Sequence, residues 1–104
     1  MQLLTTQSHD GEGAFPTFKQ GSDVKLISPC ERYLHWYQAD IHGHLTYVPA
    51  HFVENGKLRC NYNPTELVVS ENEIVELLEL HYEWALVKRA NETGWLPCKI
   101  LKSR

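Results

Sequence analysis

Residues 71–90, ENEIVELLELHYEWALVKRA, decide how the chain is read. The stretch is rich in Glu and Leu and holds neither Gly nor Pro. Its propensity favours a helix with Ile74, Leu77, Leu78 and Ala85 on one face. A weak internal repeat argues otherwise. FPTFKQGSDVKLI (15–27) aligns with ELVVSENEIVELL (66–78) at an offset of 51, which sets Phe18 on Val69, Val24 on Val75, Leu26 on Leu77 and Ile27 on Leu78. Beyond a loop the offset becomes 48, and Trp36 falls on Trp84, Tyr47 on Trp95, Val48 on Leu96, Pro49 on Pro97 and Val53 on Leu101. A helix over 71–90 would demand that the matching Ser22, Asp23 and Pro29 be helical too. Proline inside a helix removes a hydrogen bond and clashes with the preceding turn. Two strands with a turn near 80–83 are expected instead.

Working outward, turn formers recur at 11–13, 21–23, 42–44, 54–56, 61–64 and 91–94, with short alternating segments such as Val24-Lys25-Leu26 between them. Strands of that length and spacing predict an all-β chain. Period-2 spacing assigns Val24, Leu26, Val75 and Leu77 to the core. In each copy a Trp is followed eleven positions later by an aromatic residue, then an apolar residue, then Pro. That interval suits one hairpin out and back.

The 104 residues carry a formal net charge of −3, with 42 % hydrophobic and 22 % charged residues, a globular composition. The acidic balance argues against nucleic acid, which favours a basic patch. No apolar run approaches the roughly 20 residues that span a bilayer, and no secretory leader is expected. The cysteines Cys30, Cys60 and Cys98 are odd in number and widely spaced, which suits thiols in a reducing, cytoplasmic setting.

The repeated segments resemble Src homology 3 (SH3) domains arranged in tandem. The family pattern of an acidic G-D-x-V-x-V-L segment, W-W-x-A, a hairpin and G-Y-V-P-S-x-Y-V is matched twice. The first copy supplies Gly21-Ser22-Asp23-Val24, Trp36-Tyr37-Gln38-Ala39 and Thr46 to Val53. The second supplies Glu73 to Leu78, Trp84 to Val87 and Gly94 to Leu101. The resemblance implies two small SH3-like barrels, a divergent first over 1–56 and a second over 57–104 with a shortened acidic (RT) loop. The opening A-L-Y-D-Y of the family corresponds to Leu3 to Gln7 in the first copy, without its aromatics, and to Leu58 to Tyr62 in the second. The last groove tyrosine of the family is Phe52 in the first copy and Ile100 in the second. An Ile there is similar to Eps8-like SH3 domains, which prefer ligands outside the ordinary P-x-x-P pattern. Gly94-Trp95-Leu96-Pro97-Cys98 is similar to a segment of Vav-type exchange factors.

On this resemblance the chain is a non-enzymatic module of a cytoplasmic adaptor or signalling protein, binding proline-rich or P-x-x-D-Y peptides. A polyproline II ligand keeps three residues per turn and loses little entropy on docking between aromatic ridges. A Trp offers a flat apolar wall and an indole N–H for a ligand carbonyl. The expected second site is Trp84, Pro97, Ile100, Tyr62 and Glu83; the expected first site is Trp36, Pro49 and Phe52, with Asp10 and Glu12 as its acidic side. The alternative is a structural module whose barrels pack on each other or on a partner chain through Tyr47, Trp95 and residues near Tyr62, binding no proline peptide. His42 and His44 lack the ligand spacing of a structural zinc site, and Cys98 has no partnered base or oxyanion donors. No metal, cofactor or catalytic residue is expected.

Overall fold

The computed structural model describes every residue except Glu12. The chain is all-β: ten strands and two 3-10 turns, with no α-helix among the described residues. The strands are β1 (Gln2–Thr5), β2 (Val24–Pro29), β3 (Trp36–Ile41), β4 (His44–Pro49), β5 (Val53–Glu54), β6 (Lys57–Leu58), β7 (Ile74–His81), β8 (Trp84–Arg89), β9 (Glu92–Pro97) and β10 (Leu101–Ser103). Ala50–Phe52 and Cys98–Ile100 form the 3-10 turns. Residues 71–90 are thus strand, turn and strand, with the turn at Tyr82 and Glu83. Tertiary pairing overrides helix propensity here, because Val75 and Val87 must enter a core that only alternation supplies.

Two compact units divide the chain, and they do so differently from the sequential boundary expected between residues 56 and 57. One unit, split in sequence, joins Met1–Ala14 to Thr65–Arg104; the other, inserted between those segments, is Phe15–Pro64. The split unit holds a five-stranded sheet of order β10-β1-β7-β8-β9. The inserted unit holds the three-stranded sheet β2-β3-β4 and the pair β5-β6. Among the described residues no sheet closes into a barrel, so the architecture is a set of small open sheets.

The repeat survives in the pairing registers. Trp36 pairs with Pro49 and Ile41 with His44, as Trp84 pairs with Pro97 and Arg89 with Glu92, all at an offset of 48. β2 and β7 each carry a register shift, between Leu26 and Ser28 and between Leu77 and Glu79, the same place at an offset of 51. A bulge at one position in both copies is a shared design feature and not an accident of one strand.

The remaining strand of each unit comes from an unexpected direction. In the split unit, β1 pairs on one side with β7, Leu4 opposite Ile74, and on the other with β10, Thr5 opposite Leu101. In the inserted unit the same places fall to residues 57–62: Lys57 lies opposite Asp23 and Leu58 opposite Val53. His9 bridges Val69 in one unit as Tyr62 bridges Phe18 in the other. Residues 4–9 and 57–62 are therefore equivalent at an offset of 53, and each serves the unit it does not directly precede.

Asn55-Gly56 supplies the physical reason. Both residues have positive φ, 53° and 75°, the type I′ geometry that suits a two-residue hairpin. That turn folds Lys57 and Leu58 straight back onto Glu54 and Val53. Leu58 then exchanges backbone hydrogen bonds with Gly21 and Ser22 at 2.8 and 2.9 Å. Captured locally, the segment is spent on the inserted unit, and β1 fills the vacant place in the split one.

The split unit's core comprises Leu3, Leu67, Val69, Val75, Ala85, Val87, Leu96 and Ile100, with Leu77, Cys98 and Leu101 packed on it. Val24 is buried as the alternation predicts, whereas Leu26 is 44 % exposed. β2 is the outer strand of its sheet, and its ladder shifts register just beyond Leu26, so that side chain is left uncovered.

Candidate functional site

The β8–β9 hairpin presents Trp84 directly across from Pro97. Trp84 is half-buried, whereas Pro97 and Ile100 are buried. A side chain from the N-terminal segment completes this surface. The imidazole of His9 stands edge-on to the indole of Trp84, ring centroids 6.1 Å apart and planes at 71°. Its Nε2 meets Oε1 of Glu66 at 2.5 Å, and both side chains are largely enclosed. His9 is held in register by reciprocal backbone bonds with Val69, each 2.9 Å. Glu83, in the turn just before Trp84, is exposed, and its carbonyl accepts the Cys98 N–H at 2.9 Å. Burial, and secondarily the Glu83 charge, push the Cys98 thiol above its ordinary pKa, which keeps it protonated and a poor nucleophile.

Chemically the surface offers an indole face and a histidine–carboxylate pair beside it, and the same unit carries exposed carboxylates on Glu83, next to Trp84 in the chain, and on Asp10. An aromatic face flanked by acids can take an apolar or cationic group from an extended ligand.

The inserted unit places its equivalents differently. Trp36 faces Pro49 across β3 and β4, and Phe52 lies on the following 3-10 turn. Tyr62 stands perpendicular to Phe52 with centroids 5.4 Å apart, and its hydroxyl donates to the Tyr47 carbonyl at 2.5 Å. Trp36, Pro49, Phe52 and Tyr62 are all buried, so this aromatic set forms core rather than an open wall.

Two expected assignments therefore change. Tyr62, expected beside Trp84, belongs to the unit of Trp36 and Phe52, because the Asn55-Gly56 hairpin carries it there. Asp10, expected on the acidic side of the Trp36 site, belongs to the unit of Trp84, because β1 pairs with β7 and β10. Glu12 lies outside the described residues. Trp84, Pro97, Ile100 and Glu83 remain in one unit, as do Trp36, Pro49 and Phe52. Trp95 is buried, and its backbone bonds Thr65 and Leu67, which gives it a structural part.

Sequence reasoning missed His9 and Glu66. The signal that could have found them is the offset of 53, which sets His9 on Tyr62, the position of a groove tyrosine in the resemblance. No known family model, curated protein or solved structure matches the chain.

Proposed function

We propose that the chain is a non-enzymatic protein-interaction module with two SH3-like units, serving a cytoplasmic adaptor or signalling protein. In this reading the split unit binds extended, proline-rich or P-x-x-D-Y peptides at Trp84. The observation that carries the reading is the half-exposed Trp84 opposite Pro97, with His9 edge-on beside it. That combination supports a ridge against which a polyproline II segment can lie. Ile100, a buried side chain smaller than tyrosine and without its hydroxyl, stands where the resemblance puts the last groove tyrosine, which supports ligands beyond simple P-x-x-P segments.

A second reading applies to the inserted unit. The burial of Trp36, Phe52 and Tyr62 supports a structural or assembly role for it without peptide binding.

Titration of 15N-labelled protein with P-x-x-P and P-x-x-D-Y peptides tests both readings. Shifts are expected at the Trp84 indole N–H and at His9, with none at the Trp36 indole. Unchanged spectra with every peptide at millimolar concentration would remove the peptide-binding reading. Shifts centred on Trp36 would reverse the assignment of roles.

A further inference from the structure

The first fourteen residues are a structural part of a unit from which fifty residues of chain separate them. β1 is not a sheet edge but an inner strand, paired on both sides. Its partners β7 and β10 both lie in 65–104, so none of its strand pairing is local in sequence. Leu3 is buried in the core beside Val75. Thr5 is fully buried and carries four hydrogen bonds. Its Oγ1 donates to the Ser70 carbonyl at 2.7 Å and accepts the Glu73 N–H at 2.8 Å, while its backbone pairs with Glu73 and Asn72. His9, at the end of the segment, is what stands beside Trp84. Without residues 1–14 both the core and the candidate site of the split unit are incomplete.

We infer that this segment is exchangeable between molecules: a second copy of the chain can supply residues 1–14 to the split unit, and with them the His9 that completes the Trp84 site. Every bond just described joins 1–14 to 65–104, so a segment from another copy would make the same bonds. Gly11, Gly13 and Ala14, at the end of the segment, belong to no strand, and the positive φ of Gly11 and Gly13 marks where the chain turns toward the inserted unit. Exchange of an identical element between protomers gains and loses equal contacts, and so costs little. The other conceivable trade, in which residues 57–62 take the place of β1 within one molecule, is opposed by the Asn55-Gly56 hairpin, which ties 57 and 58 to β5. β1 has no such local tether. In one chain it reaches its slot at an effective concentration on the order of 1 mM, so exchange should appear as the protein approaches that concentration.

Complementation between two full-length variants tests this. Thr5→Lys spoils the donated strand but leaves its acceptor intact; Val75→Lys spoils the acceptor but leaves the strand intact. With only the Thr5→Lys chain labelled with 15N, its Trp84 indole resonance should lie away from the native position when alone. It should return to that position after the two chains are unfolded together and refolded at about 1 mM. Failure of the resonance to return, with the Tyr62 and Phe52 signals of the inserted unit native in the labelled chain and, in a separately labelled sample, in the Val75→Lys chain, would overturn the inference. Unmodified chain, half of it isotopically heavy, gives a second reading. Mixed-mass dimers after refolding at about 1 mM are expected by native mass spectrometry. Exclusively monomeric chain there would also overturn it.

Discussion

The hydroxyl of Thr5 donates to the carbonyl of Ser70 at 2.7 Å across 65 positions of chain. The same oxygen accepts the Glu73 N–H at 2.8 Å, so one buried side chain closes the turn that leads into β7. In the inserted unit the equivalent position is Leu58, an apolar side chain. The two copies thus solve one packing problem with different chemistry, a hydroxyl at this position in the split unit and an apolar side chain in the inserted one.

Thr5→Val keeps the shape of that side chain and removes the hydroxyl. A donor at Glu73 and an acceptor at Ser70 then lose a buried partner, a cost of about 1–3 kcal/mol. Denaturant unfolding followed at Trp84 should show a lower midpoint with an unchanged slope. A midpoint within error of the parent would mean that the Thr5 bonds are dispensable.

Gly94 is held by crowding. A Cβ built there would lie 2.9 Å from both Cγ and the backbone nitrogen of Leu67 and 3.1 Å from the Thr65 carbonyl. Gly94→Ala should therefore displace residues 65–67 and cost about 1–3 kcal/mol, as other overpacking changes do. The shift should be visible in the amide resonances of Thr65 and Leu67.

Acid should weaken the split unit through Glu73. The Ser70 N–H, and then Arg89 at 3.0 Å, hold the Glu73 carboxyl below its ordinary pKa. A folded-state pKa below the unfolded one adds stability that is fully present above the unfolded value, about 4.3, and is lost as pH falls through the folded one. Stability should therefore decline as pH drops below about 4.3, and Glu73→Gln should flatten that decline. An equally steep decline in the variant would assign acid sensitivity to other groups.

The two tryptophans should respond oppositely to truncation. Trp84→Ala should weaken peptide binding by about 2 kcal/mol or more, the cost of a hot-spot aromatic, with a modest effect on unfolding. Trp36→Ala should destabilise the inserted unit by about 3–5 kcal/mol, as core aromatics do, with little effect on peptide affinity at Trp84. Calorimetric titration and chemical unfolding of both variants separate the cases. Equal losses of affinity would contradict the assignment of roles.

The hairpins were legible because they are local. Trp84 and Pro97 sit either side of a turn, and a period of two placed Val75 inward despite helical composition. The interleaving was not legible in the same way. Strand pairing between Leu3 and Val75 leaves no local periodicity, and the alignment of 15–27 with 66–78 reads naturally as two copies in order. The one local clue was Asn55-Gly56, a strong hairpin signal whose consequence is that Lys57 must pair backwards. The site was half legible for the same reason. Trp84, Pro97 and Ile100 follow from pattern and resemblance, whereas His9 reaches Trp84, and meets Glu66, only through the long-range docking of the N-terminal segment.

Proton–proton Overhauser contacts in 13C-labelled, full-length protein test the interleaved arrangement most directly. The account predicts contacts from Leu3 to Val75, from His9 to Trp84 and from Tyr62 to Phe52. Contacts from Leu3 to Val24 or Val53, together with contacts from Tyr62 to Trp84, would place the copies in sequential order and contradict it.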